Sequence, residues 1–112
     1  MSGKVKKMEI EGDMKGKFDA LVNQDTPVLV DFYADWCGPC QAMAPVLKEV
    51  AQNFEGKVKI VKIDVDKNQP IAQRFGVRSI PTMILFKGGD IVWQQAGMMT
   101  GRDLSSRLSQ AV

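Results

Sequence analysis

The residues best equipped for chemistry are Cys37 and Cys40, the only two cysteines in a chain that contains no histidine. Gly38 and Pro39 separate them. A thiol pair at this spacing can cross-link the chain, hold a metal ion or exchange with other disulfides. As a cross-link it is weak, because the chain-entropy relation extrapolated to so small a loop gives only about 2 kcal/mol. A structural zinc site wants four ligands, usually all Cys and His, and this chain supplies two. Completing such a site with carboxylates or with a second chain is strained, so no metal is expected. In a cytosolic protein, a single Cys-x-x-Cys pair reads most simply as redox-active.

The surrounding elements determine what such a pair can do. Thr26-Pro27 closes an opening segment and launches Val28-Leu29-Val30-Asp31-Phe32-Tyr33, a β-branched and aromatic run that predicts a buried strand. Met43, Val46, Leu47, Val50 and Phe54 then recur at helical spacing, in a helix that starts around the cysteines and ends before Gly56. A strand follows over Val58 to Val65. Pro70 opens a short helix that turns Ile71 and Phe75 to one face. Strands over Thr82 to Phe86 and Ile91 to Gln95 flank Gly88-Gly89-Asp90, a hairpin signal. A last helix from about Arg102 carries Leu104, Leu108 and Ala111 inward. Before all of these, a weak strand near Lys7 to Ile10 and a helix around Phe18 to Val22 are expected. The order β-α-β-α-β-α-β-β-α predicts an α/β fold, a central mixed sheet flanked by helices, with residues 1–112 as one domain.

On that map Cys37 lies just past the C-terminal end of a central strand, where α/β sheets put their chemistry. It also begins the longest helix. Free backbone N–H groups and the positive end of the helix dipole favour a thiolate there. The thiolate is the attacking species, so Cys37 is expected to be the exposed nucleophile. Cys40, one turn in, is expected to be more buried and placed to resolve a mixed disulfide. Trp36 supplies either a flat contact for a partner or ordinary packing. Asp31 is a carboxylate in an otherwise apolar strand, a costly placement unless it is paired or functional.

Composition narrows the partners. With 15 Lys and Arg against 13 Asp and Glu, the formal charge of +2 gives no reason to expect nucleic acid or an anionic membrane. The cluster Lys4, Lys6 and Lys7 reads as a solvated N-terminal face. No apolar run follows Met1 that would serve as a signal-peptide core, and none approaches the ~20 residues of a membrane helix. A cytoplasmic protein is expected.

The stretch Val30-Asp31-Phe32-Tyr33-Ala34-Asp35-Trp36-Cys37-Gly38-Pro39-Cys40 closely resembles the active-site segment of the thioredoxin family. Pro45 resembles the proline that kinks the helix after it, and Lys62-Ile63-Asp64-Val65-Asp66 the third-strand segment. Phe75-Gly76-Val77-Arg78-Ser79-Ile80-Pro81-Thr82 resembles the loop ending in the family's cis-proline. Phe86-Lys87-Gly88-Gly89 and Gly97 match the closing hairpin and the glycine beyond it. The resemblance spans about residues 17 to 110.

What the resemblance implies is a thioredoxin fold and a general protein-disulfide reductase. Asp31 would lie behind the second cysteine and assist its proton transfer, accompanied by Lys62; the plain alternative for Lys62 is an exposed strand lysine. Pro81 would face the cysteines, and the backbone of Ile80 would pair with an extended substrate strand. Trp36, Gly38, Pro39, Ile80, Pro81, Gly97 and Met98 would form the substrate surface. The resemblance further implies no bound cofactor, a monomer, disulfide-containing client proteins, and recycling by thioredoxin reductase, an NADPH-dependent flavoprotein. Tyr33 and Ser79 depart from the commonest family residues, tryptophan and glycine, which bears on partner preference. Met98 and Met99 suit either an adaptable surface or core packing, and Trp93 receives no role.

Two other functions compete. Disulfide formation or isomerisation is disfavoured because relatives with that activity often place a histidine between the cysteines. A binding module with incidental cysteines is disfavoured by the presence of both cysteines together with Asp31.

Overall fold

In the computed structural model, residues 5–8 and 15–112 are described, and nine elements run in the expected order. They are β1 (Val5–Met8), α1 (Lys15–Val22), β2 (Val28–Tyr33), α2 (Gly38–Asn53) and β3 (Lys59–Asp64). There follow α3 (Gln69–Arg74), β4 (Thr82–Lys87), β5 (Asp90–Ala96) and α4 (Gly101–Ser109). The first strand falls earlier than the sequence suggested, at Val5–Met8 rather than Lys7 to Ile10. Its register explains the difference, since Val5 pairs with Ile60 and Met8 with Ile63. The rest of that expected strand, Glu9 and Ile10, lies outside the described residues, as do Lys4 and the side chains of Lys6 and Lys7.

The sheet order is β1-β3-β2-β4-β5, with β2 at its centre. Strands β1, β3 and β2 are parallel, whereas β4 is antiparallel to β2 and β5 to β4. All six residues of β2 are buried, as its continuous β-branched and aromatic run requires of a strand covered on both faces. The β4–β5 hairpin turns on Gly88 and Gly89 alone, between the paired residues Lys87 and Asp90. Both glycines have positive φ, 59° and 85°, the combination a two-residue hairpin loop demands.

Alternation along β2 divides the core in two. Leu29 faces a layer made by Met43, Leu47, Val50 and Ala51 of α2 and by Leu104 and Leu108 of α4. Val28, Val30 and Phe32 face the other side, against Phe18 and Val22 of α1 and Ile71 of α3. On that side Phe18, Phe75 and Phe86 form tilted and edge-on ring contacts with centroids 5.4–5.6 Å apart. The α2 layer matters more for function, because it presses the helix that begins at the cysteines onto the strand that delivers them. Pro45 interrupts α2 and removes the donor that would have served the Gln41 carbonyl, yet the helix continues to Asn53 because its apolar stripe is buried.

Leu47 is 1% exposed at the middle of this contact. Leu47→Ala is expected to lower unfolding free energy by about 2–5 kcal/mol in urea denaturation. A loss well under 1 kcal/mol would mean that α2 is not held by this face.

Candidate active site

β2 stops at Tyr33, and the chain turns through Ala34, Asp35 and Trp36 before α2 starts. The Cys37 N–H donates to the Ala34 carbonyl at 3.2 Å and closes that turn. Cys37 then caps α2 with extended backbone, φ −85° and ψ 111°. A cap residue normally offers a side-chain oxygen to an N–H of the first turn. Here sulfur takes that place: the Cys40 N–H donates to Cys37 Sγ at 3.1 Å. Pro39 has no N–H to leave unsatisfied in that turn. The Gln41 side-chain amide donates to the Asp35 carbonyl at 2.9 Å and ties the turn to the helix.

Cys37 and Cys40 are joined in a disulfide, with Cα atoms 5.3 Å apart. Both are buried, Cys37 at 4% and Cys40 at 2% exposure. The expectation of an exposed Cys37 is therefore corrected. The residue begins its helix at the surface, but the loop before β4 folds over it. The Ile80 carbonyl oxygen lies 3.8 Å from Cys37 Sγ, bridging 43 positions of sequence.

That loop supplies one wall of the site. The Ile80–Pro81 peptide bond is cis, as the resemblance implied. Ile80 is half-buried and Pro81 buried. The Pro81 carbonyl accepts the Gly97 N–H at 2.8 Å, which draws the end of β5 against the loop. Gly97 has φ +90°, a conformation side chains disfavour, so glycine is required at that junction. Met98, the next residue, is 51% exposed, whereas Met99 packs against the α2 layer.

Trp36 forms the opposite wall. It is 71% exposed, which excludes a core-packing role, and its indole N–H donates to Asp66 Oδ2 at 2.8 Å. Asp66 is itself fixed, its N–H donating to Asp64 Oδ1 at 2.8 Å, in the turn after β3. Asn68 locks the turn by donating to the Asp64 carbonyl at 3.0 Å. Asp66 belongs to the site through this contact, whereas in the sequence it was read only as the end of the segment, begun at Lys62, that resembles the family's third strand. Gly38 and Pro39 are exposed between the walls.

Asp31 of β2 is fully buried, with neither carboxylate oxygen hydrogen-bonded among the described residues. It shares the Leu29 face of β2, so its side chain points into the layer under α2, where Cys40 and Met43 are buried. Burial raises its pKa from 3.8 to about 6, and the Lys62 charge works the other way. Lys62 is its partner in the β2–β3 register and lies on the same face. The Lys62 ammonium sits 4.4 Å from the centre of the Tyr33 ring. Lys62 is half-buried, so the alternative of a simply exposed strand lysine does not hold.

The thioredoxin family model matches residues 9–110. The chain belongs to the thioredoxin family. It is 51% identical over 92 residues to the thioredoxin of Haemophilus influenzae, spanning 82% of this chain and 86% of that one. The solved thioredoxin of Malassezia sympodialis superposes with a TM-score of 0.85 at 31% identity, over 97% of this chain and 91% of that one. A chain from work on the thiol resolving mechanism of yeast mitochondrial 1-Cys peroxiredoxin through the glutathione/thioredoxin systems gives 0.83 at 30% identity, over 98% and 99%. As a thioredoxin-family member, the protein is an oxidoreductase that reduces disulfides by thiol–disulfide exchange at a redox-active cysteine pair. No helix among the described residues is long and apolar enough to cross a membrane.

Asp31 gives this thioredoxin-family protein a pH signature. Its folded pKa of about 6 exceeds the unfolded value of 3.8, so the native state holds the proton more tightly. Its contribution is therefore intact below pH ~4, is lost as pH climbs to ~6, and leaves a penalty of about 3 kcal/mol above that. Asp31→Ala should melt higher than the parent at pH 7.5 and lose that advantage at pH 4. Equal melting differences at the two pH values would contradict an ionised, buried Asp31.

Proposed function

We propose that the protein is a general protein-disulfide reductase in which Cys37 attacks and Cys40 resolves. The observation that carries this reading is the Cys40 amide donating to Cys37 Sγ at the first turn of α2. In the reduced protein the same amide and the helix dipole stabilise negative charge on Cys37. The Cys37 thiolate attacks one sulfur of a client disulfide; that S–S bond breaks and the client's other sulfur leaves as a thiolate. Asp31, from the layer beneath, accepts the proton of the Cys40 thiol, and the Lys62 charge keeps enough of the carboxylate ionised near neutral pH to do so. Cys40 then attacks Cys37 Sγ, the mixed disulfide breaks, and the client leaves fully reduced.

Trp36, Gly38, Pro39, Ile80, Pro81, Gly97 and Met98 form the client surface, with the Ile80 backbone pairing to an extended client segment. Its support is the chain of contacts from Asp66 through Trp36 to Cys37, and from Cys37 through Ile80 and Pro81 to Gly97. Clients are proteins carrying disulfides or other oxidised thiols, a reading supported by the similar chain from peroxiredoxin work. Two electrons return from thioredoxin reductase, an NADPH-dependent flavoprotein. Residues 1–112 act as one domain, a monomer in the cytoplasm; the single sheet shared by both core layers supports the one-domain reading.

Insulin reduction in the presence of dithiothreitol tests the division of labour. Cys37→Ser should abolish turnover and form no mixed disulfide. Cys40→Ser should also lose turnover, yet accumulate a dithiothreitol-sensitive adduct with insulin on non-reducing gels. A Cys40→Ser protein that turns over, or an adduct formed by Cys37→Ser alone, would reverse the assignment.

A further inference from the structure

The client surface contains a third sulfur. Met43 and Met83 are fully buried and Met99 is half-buried against the core. Met98, at 51% exposure, is the exposed methionine among the residues whose side chains are described. Its position is fixed from both sides. Gly97 bonds to Pro81, whose neighbour Ile80 touches Cys37, and Thr100 caps α4 by accepting the Asp103 N–H at 3.1 Å. Met98 also lines an open groove of about 410 Å³ with the half-buried Met99 and the polar residues Gln95, Thr100 and Asp103. Its thioether is therefore reachable by a small polar oxidant as well as by a client.

Thiol–disulfide exchange does not need this sulfur, since leucine would offer a comparable apolar area. A thioether differs in one respect: it takes up oxygen. In the disulfide form of the protein neither Cys37 nor Cys40 offers a thiolate, so the exposed oxidisable sulfur at the site is that of Met98.

We propose that Met98 is an oxidative modification site: a peroxide converts it to the sulfoxide, and this weakens client docking without touching the cysteine pair. The proposal rests on the client surface described above. A lone pair of the Met98 sulfur attacks one peroxide oxygen, the O–O bond breaks and an S–O bond forms. The sulfur is oxidised by two electrons, and hydrogen peroxide is reduced to water. The new oxygen turns an exposed apolar side chain of the client surface into a strong, hydrated acceptor. A docked client would have to strip water from it without replacing the hydrogen bonds, which penalises binding. A small-molecule disulfide that reaches Cys37 without covering Met98 escapes that penalty. The device acts when the disulfide form accumulates, that is, when reducing supply falls behind peroxide.

The test uses the full chain in its disulfide form, alongside Met98→Leu, each treated with hydrogen peroxide and then catalase. Peptide mapping should find Met98 converted ahead of Met99, Met43 and Met83. Treated protein should show about a fivefold rise in KM for insulin relative to its own untreated sample. Its rate with an aromatic small-molecule disulfide should not move. Treated Met98→Leu should match untreated Met98→Leu. Earlier conversion of Met99 or of a buried methionine, an unchanged KM in the sulfoxide form, or an equal rise in the leucine variant would each overturn the proposal. Met98→Asp separates the two claims. An unchanged insulin KM in that variant overturns the docking surface and the proposal with it. A raised KM in Met98→Asp beside an unchanged KM in the sulfoxide form overturns the oxidation proposal alone.

Discussion

One backbone amide aimed at one sulfur organises this molecule: the Cys40 N–H meets Cys37 Sγ at 3.1 Å and makes a cysteine the cap of a long helix. A side-chain cap holds only if the helix start is held, and here it is held from below. The apolar stripe of α2 is buried against β2, the strand that hands the chain to Cys37. The central position of β2 comes from parallel pairing with β3 on one side and antiparallel pairing with β4 on the other. The same two neighbours carry the site's walls, the turn holding Asp66 after β3 and the cis loop before β4. Sheet order and site geometry are thus consequences of a single arrangement.

Asp31 stands against the general economy of that core. Every other position of β2 is apolar or aromatic, and this one buries a carboxylate with no hydrogen bond among the described residues. A fold optimised for stability alone would place a hydrophobic residue there. The tension is local, because Lys62 lies beside Asp31 in the register and tempers the burial without cancelling it. In the proposed mechanism stability and proton transfer compete at this position, a pattern common where residues serve chemistry rather than packing.

The features legible in the sequence were those encoded locally. The Gly88-Gly89 turn, the buried run of β2 and the helical spacing of Met43, Leu47 and Val50 each need only their own neighbours to be read. Asp31 was conspicuous because a charge within an apolar run contradicts its surroundings. What escaped depended on residues far apart. Cys37 is buried because Ile80 reaches it from 43 positions away. Trp36 is oriented by Asp66, across 30 positions, from the turn after β3. Met98 faces outward and Met99 packs onto the core just past the bend at Gly97, and two residues hold no period from which to read that. Trp93 proved to be a packing residue of the edge strand β5, with Arg107 4.3 Å from its ring centre. The weak first strand was misplaced because its register is set by β3, not by its own sequence.

The central claim is that the start of α2 makes its two sulfurs unequal, although both are nearly buried. Alkylating the fully reduced protein with a limiting amount of iodoacetamide at neutral pH, then locating the label by peptide mass spectrometry, reads that inequality directly. The account predicts that Cys37 carries nearly all of the first label, with Cys40 modified only slowly. Equal labelling, or preference for Cys40, would contradict it.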